Sequence, residues 1–329
     1  MSAATADVAT VGHRLALQRR GTVAVLVLVV LLASLRYGDA FYSGINLTSY
    51  FDDAVKYSLI ALGMTFVIMT GGIDLSVGSV ILLAGVAGGL ASPYGAVVAV
   101  LVGVGTGAAV GAVNGLLIAH SRLEPFVVTL ATLLWARGLG LQLADTQTVV
   151  YGSGALQSLA RDKIFGLTTG FWLMLLLFAI AAVALKYTAW GRTVLAVGDS
   201  EESTSLLGVP TRMTKFSVYL LSGALAGLAG VVLGSQTGSV SMDTGVGWEL
   251  IAVAAVVVGG TLLTGGVGSI GGTLAGLLLL QVIFTIINFE NGRGGIEINS
   301  YWQNVVRGAF LLVVVLLQTG VGRGRRKAS

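Results

Sequence analysis

Apolar residues along this chain come in long, nearly unbroken runs separated by short polar segments, without the one-faced periodicity of a soluble amphipathic helix or the alternation of a half-buried strand. Ten runs stand out: Thr22 to Leu35, Ala54 to Thr70, Val77 to Ala91, Ala96 to Ala119, Phe126 to Leu143, Thr168 to Leu185, Phe216 to Gly234, Trp248 to Leu263, Ile270 to Asn288 and Tyr301 to Leu317. A bilayer core of about 30 Å takes roughly 20 apolar residues per helix, so these runs predict about ten crossings. The expected fold is an all-α polytopic membrane protein, with some helices broken at Gly. Residues 1–21 read as a basic tail, 22–318 as the transmembrane domain and 319–329 as a second basic tail. The first run follows Arg14, Arg19 and Arg20 with no small-residue cleavage site after it, and reads as a retained anchor.

Composition agrees with the pattern. Of 329 residues 55% are hydrophobic and only 10% charged, against about 25% charged in soluble domains. Mean hydropathy is +0.90. The 48 glycines far exceed ordinary usage and have no collagen-like period, which suits closely packed transmembrane helices. There is no cysteine, so disulfides and thiolate chemistry are excluded. A net charge of +4 could suggest a nucleic-acid partner, but the basic residues lie at the membrane edges, where orientation accounts for them.

Ten crossings put both termini on one side. With both termini cytoplasmic, the inner segments carry Arg14, Arg19, Arg20, Arg122, Lys186, Arg192, Arg212, Lys215, Arg323, Arg325, Arg326 and Lys327. The outer segments carry only Arg36, Lys56, Arg161, Lys163 and Arg293, the bias expected of inner loops. Arg137 and Arg307 fall within apolar runs.

Glycines recur at four-residue spacing in Gly103, Gly107, Gly111 and Gly115, in Gly223 and Gly227, and in Gly268, Gly272 and Gly276, so these faces are expected to meet other helices. A faint repeat links the halves. Asp74-Leu75 is echoed by Glu249-Leu250, and Arg137-Gly138 by Arg307-Gly308. Both pairs are offset by five helices, which would give an inverted internal repeat of the kind many transporters use.

Two segments carry the functional reading. In Gly63 to Ser79 two apolar runs meet through Gly71-Gly72 around one carboxylate. Asp74 and Ser76 can cap the next helix there, and irregular backbone at membrane depth must be buried in protein or line water. In the polar stretch from Tyr187 to Thr214, Asp199 or Ser200 can cap a short helix. Glu202 lies three residues after Asp199 as in a capping box, Leu206 and Leu207 supply an apolar contact, and Gly208 with Pro210 ends it.

Chemistry of the chain's own is scarce. No Gly-Lys dipeptide occurs, so no phosphate-binding loop is present and any ATP must be hydrolysed elsewhere. His13 and His120 lie in polar segments with no metal-ligand spacing, so no catalytic or metal site is expected. The rival mechanism is an ion-coupled secondary transporter of a small polar solute, which would use ionisable groups such as Asp74, Arg137, Glu249 and Arg307.

The run Gly63-Met64-Thr65-Phe66-Val67-Ile68-Met69-Thr70-Gly71-Gly72-Ile73-Asp74-Leu75-Ser76-Val77-Gly78-Ser79 resembles the permease subunits of ribose-type ABC sugar importers. So do Trp190-Gly191-Arg192, Leu207-Gly208-Val209-Pro210, Leu221-Ser222-Gly223, Gly245 to Leu250 and Val258 to Gly268. The finer match, in Gly259 to Gly268, Ile287-Asn288-Phe289 and Leu317-Gln318, is to galactofuranose permeases. The resemblance implies a bacterial cell-membrane permease paired with a second copy or a paralogue. It also implies an extracytoplasmic sugar-binding protein as donor and an ATP-binding subunit holding ATP and Mg, with no cofactor in this chain and lipid around it. Residues Asp199, Ser200, Glu202, Leu206, Leu207, Gly208 and Pro210 would form the coupling helix. Asp74, Ser76, Asn114, Thr129 and Glu249 are the polar groups expected along the substrate path. Two departures stand out: Gly198 to Thr204 differs from the Gly-Gly-Asn and alanines of many relatives, and the outer segment Glu290 to Ser300 is long.

Overall fold

In lipid every backbone N–H and C=O must be satisfied within its own segment, and a chain of apolar runs meets that requirement only as helices. The computed structural model describes residues 2–121 and 123–292, together with Trp302, Val305, Gly308, Ala309 and Leu312. Twelve α-helices lie in residues 2–292: α1 (Ser2–Tyr37), α2 (Gly44–Met69), α3 (Val77–Ala91), α4 (Ala96–His120), α5 (Pro125–Leu143), α6 (Gly154–Arg161), α7 (Thr169–Tyr187), α8 (Ala189–Asp199), α9 (Glu201–Leu206), α10 (Thr211–Thr237), α11 (Trp248–Val258) and α12 (Ile270–Gly292). Two 3-10 turns (Gly38–Ala40 and Ser92–Tyr94) and four two-residue strands accompany them: β1 (Val149–Val150), β2 (Lys163–Ile164), β3 (Leu167–Thr168) and β4 (Ser239–Val240). β1 pairs antiparallel with β4 and β2 with β3. The fold is that of an all-α polytopic membrane protein.

Nine of the ten expected runs coincide with α1 to α5, α7 and α10 to α12. The tenth, with Arg307 and its echo of Arg137, lies outside the described residues apart from the five named above. Among the described residues seven helices are long and apolar enough to cross a membrane. The other two differ for physical reasons. In α2, Asp52, Asp53 and Lys56 place three charges in the first half, and the helix begins ten residues before the expected run. α11 stops at Val258, five residues short of the expected Leu263, because Gly259-Gly260 leave the helix, Gly260 at φ +90°. At about 1.5 Å per residue its 11 residues rise only about 16 Å, roughly half a bilayer core.

α10 is the central post, packed against α2, α3 and α4. The glycine spacing explains the closest of these contacts. A Cβ on Gly107 would lie 2.7 Å from the Gly227 Cα, and one on Gly111 3.0 Å from the Gly223 Cα, so α4 and α10 touch backbone to backbone. The third stripe works the same way on α12, where a Cβ on Gly276 would sit 2.9 Å from the Gly259 nitrogen. With lipid tails as apolar as leucine, this close packing and the polar bonds below replace the hydrophobic drive that holds soluble cores.

Candidate functional site: a helix break and a re-entrant loop at mid-bundle

Seven residues, 70–76, separate α2 from α3. Thr70 closes α2 through bonds from its N–H to Phe66 O and Val67 O, and Gly71 turns the chain at φ +79°, a conformation costly for any residue with a Cβ. Asp74 then folds back on the start of α3. Its Oδ1 accepts from the Ser76 N–H (3.0 Å) and the Ser76 hydroxyl (2.6 Å), and its Oδ2 accepts from Ser222 of α10 (2.9 Å). Ser76 is the residue preceding α3, but its hydroxyl makes no bond to the first turn and serves Asp74 instead.

The network continues outward. Asn114 of α4 donates through Nδ2 to Ser76 Oγ (3.0 Å), and its Oδ1 accepts from Thr132 of α5 (2.5 Å). Thr129, one turn earlier on α5, places its hydroxyl 3.2 Å from Ile73 O and 2.9 Å from Pro125 O. Asp74, Ser76, Asn114, Thr129, Thr132 and Ser222 are all buried. Four of the five expected pathway residues therefore converge on one hydrogen-bonded cluster tying the break to α4, α5 and α10. Ser222 is twelfth of the 27 residues in α10, which sets Asp74 near the middle of the bundle.

Glu249 stands apart, half-buried in the first turn of α11. The connection leading to it re-enters the bundle. After β4 the chain descends along α3, with Val240 against Gly85 and Gly245 against Gly78. Gly78 also faces the Glu249 carboxylate. The N-termini of α3 and α11 thus abut, their partial positive charges directed at a region holding two carboxylates, Asp74 and Glu249, which such helix ends stabilise. Arg137, inside the α5 run, holds the descending loop by donating to Met242 O (2.7 Å) and Thr244 O (3.2 Å). An arginine at that depth is accounted for by carbonyls of irregular backbone that would otherwise lack donors.

A cavity of about 680 Å³ opens between the break, the end of α4, the start of α5, α9 and α10. Thr70, Gly72, His120, Glu124 and Glu201 line it, and Tyr219 reaches it from α10 with a buried hydroxyl that has no hydrogen-bond partner among the described residues. Sequence reasoning missed Tyr219, Thr132 and Ser222. Only the Ser222 position carried a signal, as part of Leu221-Ser222-Gly223.

α8 and α9 cap this end. Ser200 is the N-cap of α9, and its hydroxyl accepts from the Ser203 N–H at 3.2 Å, so the reciprocal partner is Ser203 and not the expected pair Asp199 and Glu202. Thr204 donates to Ala196 O (2.9 Å), and Lys215 of α10 pairs with Glu201, which fixes α9 to its neighbours. Gly208 at φ +76° ends the turn, and Pro210 precedes α10. On this braced support Leu206 and Leu207 are 83% and 82% exposed.

Residues 46–315 match the family described as branched-chain amino acid transport system / permease component. The chain belongs to this permease family. It is 37% identical over 306 residues to the ribose import permease protein RbsC of Bacillus subtilis (strain 168), covering 92% of each chain. It is 33% identical over 317 residues to RbsC of Haemophilus influenzae, covering 94% of this chain and 95% of that one. To the L-arabinose ABC transporter permease protein AraH of Azospirillum brasilense it is 32% identical, over 95% of this chain and 90% of that one. No solved structure matches the chain.

Proposed function

We propose that this chain is the membrane-spanning subunit of an ABC importer that passes a neutral monosaccharide inward, driven by ATP hydrolysis on a separate subunit. The observation that carries the reading is the pair Leu206 and Leu207, held out from the end of the bundle that also carries the cavity below the helix break, in a chain similar over nine-tenths of its length to sugar import permeases. Two large apolar side chains on a braced polar cap suit insertion into a cleft of a partner, here the ATP-binding subunit, which holds ATP and Mg. That end is then cytoplasmic, with both termini, and the α6 end faces the extracytoplasmic sugar-binding protein.

The Asp74 cluster is assigned to holding the break in register between α4, α5 and α10, since its acceptors are already filled by protein donors. Glu249 and the abutting helix starts lie beside the path, which a second permease, a copy or a paralogue, completes. The sugar is ribose-like or galactofuranose-like: relatives are named for ribose, fructose and arabinose, and the Gly259 to Gly268 run supports the galactofuranose side.

The test is uptake of labelled ribose, arabinose, fructose and galactofuranose by proteoliposomes holding this permease, its ATPase and the binding protein. Uptake of one of these that needs both ATP and the binding protein supports the proposal. Uptake by the permease alone, driven by a proton or sodium gradient, overturns it in favour of an ion-coupled transporter.

A further inference from the structure

At the α6 end, away from the Asp74 cluster, α2 and α12 face each other across a second cavity of about 250 Å³. Its lining comes from two polar stripes at helical spacing, Asn46, Ser49 and Tyr50 on α2 and Gln281, Thr285 and Asn288 on α12. In a membrane helix such a polar stripe is costly unless it meets protein or ligand. The walls are fixed in advance. Tyr50 donates its hydroxyl to Leu278 O (2.9 Å), and Asn46 donates through Nδ2 to Phe41 O (2.6 Å). Phe284 adds an apolar wall beside these amides and hydroxyls.

One donor is unspent. Gln281 lines the cavity and is 5% exposed, and its amide nitrogen has no hydrogen-bond partner among the described residues. A buried polar group in that state is costly, so a function that uses it is the economical explanation. The volume falls just under the range of about 300–1,000 Å³ for drug-sized ligands, and the mix of hydroxyl, amide and aromatic groups without an inward-facing unpaired charge matches a small neutral polyol. Asp53 at the rim is paired with Lys56 at 2.6 Å.

We infer that this cavity is an entry subsite for a single sugar ring, occupied as the sugar leaves the binding protein, with the Gln281 amide donating to a sugar hydroxyl and Tyr50 and Phe284 against its apolar edges. The inference rests on the sugar-import reading and adds a place and a donor that the reading lacks.

Because the chain has no cysteine, a thiol introduced by substitution is the only one in this chain, and labelling is read on this chain after its separation from the other subunits. In the reconstituted assembly, Ser49→Cys and, as a control on α6, Ser158→Cys are labelled with a small methanethiosulfonate reagent, with and without millimolar amounts of whichever tested sugar the wild-type assembly transports. The expected result is that sugar slows labelling at position 49 and leaves position 158 unchanged. Adding Gln281→Leu should cut the protecting affinity about fivefold, the value of one hydrogen bond, while the permease melts no lower than wild type, since an unpaired amide has been removed. Equal labelling rates with and without sugar, in an assembly that still transports it, overturn the subsite and leave the function standing. Absence of ATP-driven sugar uptake in the wild-type assembly overturns both.

Discussion

Replacing Leu206 and Leu207 with alanine tests the coupling surface with little disturbance of the fold. Each replacement removes three carbons from side chains that are 83% and 82% exposed, so the isolated permease loses almost no packing. In the assembly the arithmetic differs. At about 0.8 kcal/mol per buried CH₂, full burial of both side chains would make the double substitution cost close to 5 kcal/mol, and half burial about 2.4 kcal/mol. The lower figure corresponds to about 50-fold weaker binding of the ATPase. The assay pairs the affinity of detergent-solubilised permease for its ATP-binding subunit with the melting temperature of the permease alone. A drop of about 50-fold or more in affinity at unchanged melting temperature is expected, with loss of ATP-driven uptake in parallel. Unchanged affinity and uptake would refute the reasoning, and a lowered melting temperature would show that the leucines pack within the chain.

Other consequences follow from the same geometry. Asp74→Ala strips the acceptor from the Ser76 N–H, the Ser76 hydroxyl and the Ser222 hydroxyl, and at about 1–3 kcal/mol for each stranded group should destabilise the permease by roughly 3–9 kcal/mol, seen as a clear fall in thermal midpoint; Ser222→Ala should cost much less. Gly223→Leu places a side chain where a Cβ already lies 2.7 Å from the Gly111 Cα, and should abolish recovery of folded protein, whereas Gly105→Leu, with open space around it, should be tolerated. Equal yields of the two would contradict backbone contact between α4 and α10. Arg137→Leu frees the Met242 and Thr244 carbonyls, so amide exchange across residues 238–247 should quicken while the centre of α10 stays protected; an unchanged exchange pattern would show the loop is held by other contacts.

Much of this was legible in the sequence for identifiable reasons. Apolar runs predict helices in lipid with little ambiguity, and the glycine stripes at 103–115 and 223–227 indicated a close contact, since four-residue spacing has few other uses in a membrane helix. The break at Gly71-Gly72 was readable because paired glycines interrupt an otherwise continuous run around one carboxylate. The partners of that carboxylate were not. Ser222 and Asn114 are 148 and 38 residues… apart from Asp74 and Ser76 respectively, and only the packing of α10 and α4 brings them together. The re-entrant course of residues 238–247 was likewise hidden, since Gly and Ser in an outer loop carry no sign of depth. Arg137 was noticed as a charge in an apolar run, and its carbonyl partners explain it. The Gln281 cavity escaped notice because isolated Asn, Gln, Ser and Thr in apolar helices are common and become a site only when two stripes face each other.

The central claim is that sugar moves through this chain at the expense of ATP hydrolysed by a partner. It is tested most directly in proteoliposomes containing the permease, its ATPase and the binding protein, by measuring labelled-sugar accumulation with ATP enclosed or with only an imposed proton or sodium gradient. Accumulation with ATP, abolished by omitting the binding protein and absent under either gradient alone, is the predicted result. Gradient-driven accumulation without ATP would contradict the account.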